Sequence, residues 1–131
     1  RDDSEWERLF DLLVDFNKSW AKNASVLVLI VARKNFESGD PSPTHQFDSG
    51  AAWQNMAIEA QHQGYHAHGM GGFDSDKARE DFNVPGDFSV LAMAAIGRKD
   101  DPEKLPENIM DADRQMSNRR PVNELIFNGP M

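Results

Sequence analysis

Residues 47–74 decide the fold of this chain: FDSGAAWQNMAIEAQHQ (47–63) runs directly into GYHAHGMGGFD (64–74). The first part reads as a helix whose Gly50, Ala51, Ala52, Ala57 and Ala60 keep one side nearly flat. A flat side lets another helix or a sheet approach closely, so this helix is expected at the centre of the core. Gly64 breaks it, and Gly69, Gly71 and Gly72 then fall within four positions. Glycine is used where the backbone must reach φ > 0, or where a neighbour leaves no room for a Cβ. The glycine-dense segment is therefore read as a turn. It either reverses the chain and no more, or offers main-chain N–H groups to a planar ligand.

Working outward, two apolar runs bracket this stretch. Val26 to Ala32 is seven apolar residues without alternation, the pattern of a strand covered on both faces. Phe88 to Ile96 (FSVLAMAAI) reads as a second strand, ended by Gly97. Before the first run, Trp6, Leu9, Phe10, Leu13 and Phe16 recur at helical spacing behind a Ser4 cap. One helix is expected to about Asn17, with a possible extension through Trp20 to Asn23. Arg33 to Gln46 is a polar loop with Gly39, Pro41 and Pro43, and Ser75 to Asn83 is a short helix capped by Asp74 or Ser75. This order of elements gives an α/β or α+β sandwich, a sheet covered by helices. From Arg98 onward, prolines at 102, 106, 121 and 130 describe an extended tail in which Leu125, Ile126 and Phe127 are the residues suited to burial.

At 131 residues the chain has the length of a single domain, with a core to match. Its net charge of −8 argues against nucleic acid, which needs a basic face. The absence of cysteine excludes thiolate catalysis and disulfides. No apolar run approaches the ~20 residues of a membrane helix, and no signal pattern opens the chain, so a cytoplasmic protein is the default expectation.

Few side chains propose chemistry. His62, His66 and His68 sit near one another, but Gly64 interrupts the spacing that would place His62 and His66 on one helix face, so no metal is expected. His45, Asp48 and Ser49 contain the residue types of a triad without a nucleophile elbow. Arg114, Arg119 and Arg120 form the basic cluster of an acidic chain. Guanidinium groups presented before the stiff Pro121 suit a phosphate, or else they balance nearby acids.

Several motifs in register resemble the FMN-dependent nitroreductase family. They are Ala24-Ser25-Val-Leu-Val-Leu-Ile-Val-Ala32, Phe47-Asp48-Ser-Gly50-Ala-Ala52-Trp53-Gln-Asn55 and Gly69-Met-Gly71-Gly72-Phe73-Asp74. Asn83-Val-Pro85-x-Asp87-Phe, Ala95-Ile-Gly97 and Ser117-x-Arg119-x-Pro121-x-x-Glu124 follow in the same order. The resemblance implies an α+β sandwich that works as a homodimer, with the central helix at the interface and the tail crossing onto the partner. It implies FMN between the subunits, with Gly71 and Gly72 facing the flavin edge and Ser117 and Arg119 on the phosphate. Met70, Phe36, His45 and Phe47 are candidate pocket walls, or else core or surface residues. NAD(P)H would be the hydride donor, and a nitroaromatic, quinone or similar small molecule the acceptor. No catalytic side chain is then required, because the cofactor carries the reaction.

The family's arginine-rich opening segment, its Pro-Ser-rich loop and its flavin-side Asn have no counterpart here. Residues 1–131 are therefore expected to be one nitroreductase-like domain, incomplete at its N-terminus, with 98–131 as the tail. The alternative is a flavin-free dimeric interaction module derived from the same fold.

Overall fold

The computed structural model describes residues 3–105, 107–116, 118–126 and 129. It divides into two compact units, Arg1–Asp100 and Asp101–Met131.

The first unit opens with α1, Ser4–Asp11. Its cap is Asp3, one residue earlier than expected, whose carboxylate accepts from the Trp6 N–H at 2.8 Å. Trp6 and Phe10, one turn apart, stack with their centroids 5.0 Å apart, and the Arg8 guanidinium lies 4.4 Å over the Phe82 ring. The expected single long helix is corrected: α1 stops, and α2 spans Asp15–Ala21. The cause lies far away in sequence. Val14 is extended (φ −67°, ψ 156°), and its N–H donates to the Gly72 carbonyl at 3.1 Å. Leu13 bridges Phe73, and the Leu12 carbonyl accepts from the Asp74 N–H at 2.9 Å. Backbone groups that would continue the helix are spent on residues 72–74 instead. Leu12 and Leu13, both buried, seal the junction from within.

Three strands form one antiparallel sheet: β1 (Val26–Arg33), β2 (His66–Met70) and β3 (Phe88–Gly97), in the order β1-β3-β2. β3 is central, and its Met93, Ala94 and Ala95 are buried. The pairing with β1 slips between Ile30 and Val31, which face Ala92 and Val90, so Leu91 is an extra residue in β3. The expectation that the Val26–Ala32 run is covered on both faces is not met. β1 is an edge strand, and Val26 (48%) and Val31 (38%) are exposed. β2 is a strand where a turn was expected, held by its ladder to β3.

Between β1 and β2 runs α3, His45–His62. Gly64 (φ +78°) ends it: the Gly64 N–H bonds the Gln61 carbonyl at 3.1 Å and the Tyr65 N–H bonds the Ala60 carbonyl at 2.8 Å. α3 packs on β1 and β2, yet it contains no buried residue. The expectation that it lies at the centre of the core is therefore corrected: of its small residues, Gly50, Ala51 and Ala52 are exposed and Ala57 and Ala60 half-buried. The core forms instead among Leu12, Leu13, Leu27, Met70, Met93 and Ala95. α4, Ser75–Asp81, is capped by Asp74, which accepts from the Lys77 N–H at 2.8 Å. Arg79 then fixes the loop after it, donating to the carbonyls of Val84, Pro85 and Phe88 at 2.8–3.0 Å.

The second unit was expected to be extended, but it carries a helix, α5 (Glu107–Arg114), between short 3-10 turns at Pro102–Lys104 and Val122–Glu124. Ile109 is buried, while Leu125 and Ile126, read as suited to burial, are exposed in the single chain. Phe127 lies outside the described residues. Among the described residues no helix is long and apolar enough to cross a membrane.

Candidate functional site

The segment Met70–Asp74 leaves β2 and is tied by hydrogen bonds to residues 12–17. Met70, 3% exposed, ends β2 and plugs the core beneath the turn. Next come two glycines, neither of which has positive φ, so left-handed backbone is not what requires them. A Cβ added at Gly72 would lie 2.8 Å from Asn17 Nδ2 and 3.0 Å from Val14 Cγ2. Crowding explains Gly72. Gly71 is the reverse case: a Cβ there would meet nothing within 4 Å, and the residue is exposed. Gly69 belongs with the crowded type, since an added Cβ would lie 3.2 Å from Trp53 Cζ2.

Both glycine carbonyls have partners. The Gly72 oxygen accepts from the Val14 N–H at 3.1 Å and from Asn17 Nδ2 at 2.9 Å. The Gly71 oxygen accepts from the Phe73 N–H at 3.2 Å. The N–H groups of Gly71 and Gly72, by contrast, find no acceptor among the described residues. Gly71 is exposed and Gly72 half-buried, so both donors face solvent on a side-chain-free edge and are open to water or to the rim of a ligand. Such an edge can lie flat against an electron-rich planar group and donate to its rim.

The sequence-derived site residues fall into separate parts of the molecule. Met70, Gly71 and Gly72 are contiguous on the turn. Arg119 is exposed in the second unit, as are Arg114 and Arg120. Ser117 lies outside the described residues. Of the suggested pocket walls, Met70 is buried, His45 is half-buried, and Phe36 (51%) and Phe47 (79%) are exposed.

His45, Asp48 and Ser49 do not make a triad. His45 Nδ1 lies 2.8 Å from the Ser42 carbonyl, Asp48 accepts from Thr44 Oγ1 at 2.9 Å, and Ser49 Oγ donates to the His45 carbonyl at 2.8 Å. Asp48 and Ser49 are used locally, while His45 turns its Nε2 to Ser89 Oγ on β3 at 3.4 Å. His62 ends α3 while His66 and His68 lie on β2, where the His68 ring meets Trp20 edge-on at 5.0 Å. Among the described residues no group of three or more His, Cys, Asp or Glu could hold a metal. Asn17 and Val14 are the residues that sequence reasoning missed. Nothing local in VDFNKSW (14–20) distinguishes them, because their partner, Gly72, is more than fifty residues away.

Comparison with known proteins fits this arrangement. The pattern of the nitroreductase family matches residues 3–98. An uncharacterized 15.4 kDa protein in the ask 5′ region of Mycolicibacterium smegmatis is 31% identical over 120 residues, 89% of this chain and 78% of that protein. Protein DrgA of Synechocystis sp. is 34% identical over 85 residues, and the match spans only 40% of DrgA's length. Among solved structures, an oxidoreductase containing FMN superposes with a TM-score of 0.90 at 40% identity, over 98% of this chain and 67% of its own. An FMN-dependent nitroreductase from Clostridium difficile R20291, with a TM-score of 0.61 and 21% identity over 92% of this chain and 73% of its own, shares the fold. With its α+β sheet, its glycine turn and a family match running from the first helix through the end of β3, this chain belongs to the nitroreductase family.

Proposed function

We propose that the protein is an FMN-dependent oxidoreductase that takes hydride from NAD(P)H and passes it to a nitroaromatic, quinone or similar acceptor, working as a homodimer. The observation that carries this reading is the Gly71–Gly72 edge, with two unspent N–H donors and no Cβ in the way. Its support is the 40% identity to an oxidoreductase that contains FMN.

Bound FMN supplies the hydride chemistry, and the protein supplies position and electrostatics. With FMN at this turn, the Gly71 and Gly72 amides would hold the flavin edge and would favour negative charge beside them. Fixed donors achieve this without having to reorganise during the reaction. Met70 packs beneath the turn and keeps it from sinking into the core. Arg119, with Ser117, is assigned to the phosphate, where a guanidinium matches two oxygens at once. The homodimer assignment rests on α3, whose outer side presents Phe47, Ala51 and Ile58 at helical spacing together with an open groove along Gln54, Ala57, Gln61 and His62.

Anaerobic mixing tests the reaction. Full-length gene product loaded with FMN should bleach on addition of NADH or NADPH and recover its colour when a quinone is added. Arg119→Ala should weaken FMN binding by about 1.5–3 kcal/mol, the range for a hydrogen bond to a charged group. A protein that dimerises but never retains FMN would refute the enzyme reading and favour the flavin-free interaction module.

A further inference from the structure

Asn17 stands out because it is polar, only 8% exposed, and directed at one backbone atom. A carbonyl oxygen offers two lone pairs, and at Gly72 both are occupied: one by the Val14 N–H, the other by Asn17 Nδ2. The Val14 bond comes from main chain and is available whatever residue stands at 14. The bond from Asn17 depends on its side chain. Its amide also fills the space that a side chain at residue 72 would need, since an added Cβ falls 2.8 Å from Nδ2. Gly72 and Asn17 therefore require each other.

Fixing this carbonyl fixes more than one peptide. The plane joining Gly72 to Phe73 is set by the two bonds to its oxygen, and its Phe73 N–H in turn holds the Gly71 carbonyl at 3.2 Å. In a trans peptide the N–H points opposite to the C=O. Anchoring the Gly71 oxygen thus aims the Gly72 N–H, one of the two unspent donors.

We infer that Asn17 is a positioning residue: through the Gly72 carbonyl it sets the direction in which the turn presents its free amide to the flavin edge. This rests on the FMN reading above. The effect of losing it is directional rather than volumetric, because a small misplacement of a donor in an active site lowers rate far more than it lowers stability.

Asn17→Asp is the sharpest test. It keeps the shape and sits in the first turn of α2, where the helix dipole favours an acid. Yet it removes the donor and turns a carboxylate oxygen toward the Gly72 carbonyl. Asn17→Ala removes the group altogether, and Arg79→Gln, which breaks three carbonyl bonds in the loop after α4, serves as a destabilised control remote from the turn. In the full-length protein loaded with FMN, both Asn17 variants should shift the visible flavin bands and lower kcat about tenfold, with the KM for NAD(P)H within about twofold of wild type. Arg79→Gln should lose melting temperature and leave the bands and kcat unchanged. If the Asn17 variants behave like Arg79→Gln, the inference is overturned.

Wild type that takes up no FMN would sink the flavin reading instead. Amide exchange at Gly71 and Gly72 then decides about Asn17 without the cofactor. Exchange accelerated in both Asn17 variants but not in Arg79→Gln supports the anchoring role, and unchanged exchange overturns it.

Discussion

Gly50 and Gly72 come from the same small-residue stretch and are glycine for opposite reasons. Gly50 lies on the open side of α3, where an added Cβ would meet nothing within 4 Å. Gly72 lies in a turn where the same atom would strike Asn17 and Val14. One glycine leaves a surface smooth, while the other makes room for a neighbour already in place. The contrast extends to the backbone. α3 satisfies its hydrogen bonds internally and leaves its outer face bare, whereas residues 70–74 are tied to α1, α2 and α4 and leave two donors for something else.

Substitution at these glycines tests the contrast, starting with the largest effect. Gly72→Ala should destabilise the protein by about 1–3 kcal/mol, as overpacking does, and should weaken FMN binding along with it. Denaturant unfolding reads the first effect and a flavin titration the second. A variant with wild-type stability would mean that the crowding around residue 72 relaxes freely. Gly69→Ala should cost about 1 kcal/mol or less, because the neighbour at 3.2 Å is a side chain, the half-buried Trp53 ring, that needs to shift only slightly. Gly50→Ala should instead stabilise the isolated subunit by about 0.5–1 kcal/mol, the usual gain for alanine over glycine inside a helix. Should it lower stability or dissociate an oligomer, that face of α3 is covered by a partner, as the homodimer assignment requires.

The smallest effect concerns α4, which the glycine turn caps through Asp74. Lys77 on this helix is ion-paired with Asp81, and the hydrogen bond to that carboxylate raises its pKa above the ordinary 10.5. A raised folded-state pKa adds stability below the ordinary value and loses it as pH climbs through the folded one. Wild type should therefore lose a slight advantage over Lys77→Met between pH ~9 and pH ~12, a window set around the ordinary lysine value. The side chain is solvent-exposed, so the difference in melting temperature should be barely measurable. A large pH-dependent difference would mean that the pair is more shielded than its exposure indicates.

Much of the fold was legible because the apolar runs at Val26–Ala32 and Phe88–Ile96 could be little else than strands. The helix from residue 4 was misread because Trp6, Leu9, Phe10, Leu13 and Phe16 keep helical spacing straight through the break. Side-chain periodicity carries no information about the Gly72 carbonyl that takes the Val14 N–H from far along the chain. β2 was missed for the converse reason. His66, His68 and Gly69 have weak strand propensity, and pairing with β3 overrides it. The small residues of α3 were placed in the core, but Gly50, Ala51 and Ala52 are exposed and Ala57 and Ala60 half-buried, since small side chains alone do not say which way a helix faces. In the site, the glycine pair was readable from the sequence. Its purpose was not, because Asn17 and Val14 reach it only after folding.

The central claim is that the Gly71–Gly72 edge faces a flavin, and the most direct measurement is an FMN titration of the full-length protein, followed by its visible spectrum. The account predicts saturation at one FMN per subunit, with resolved flavin bands that Gly72→Ala weakens or abolishes. A wild-type protein that stays colourless at saturating FMN would contradict it.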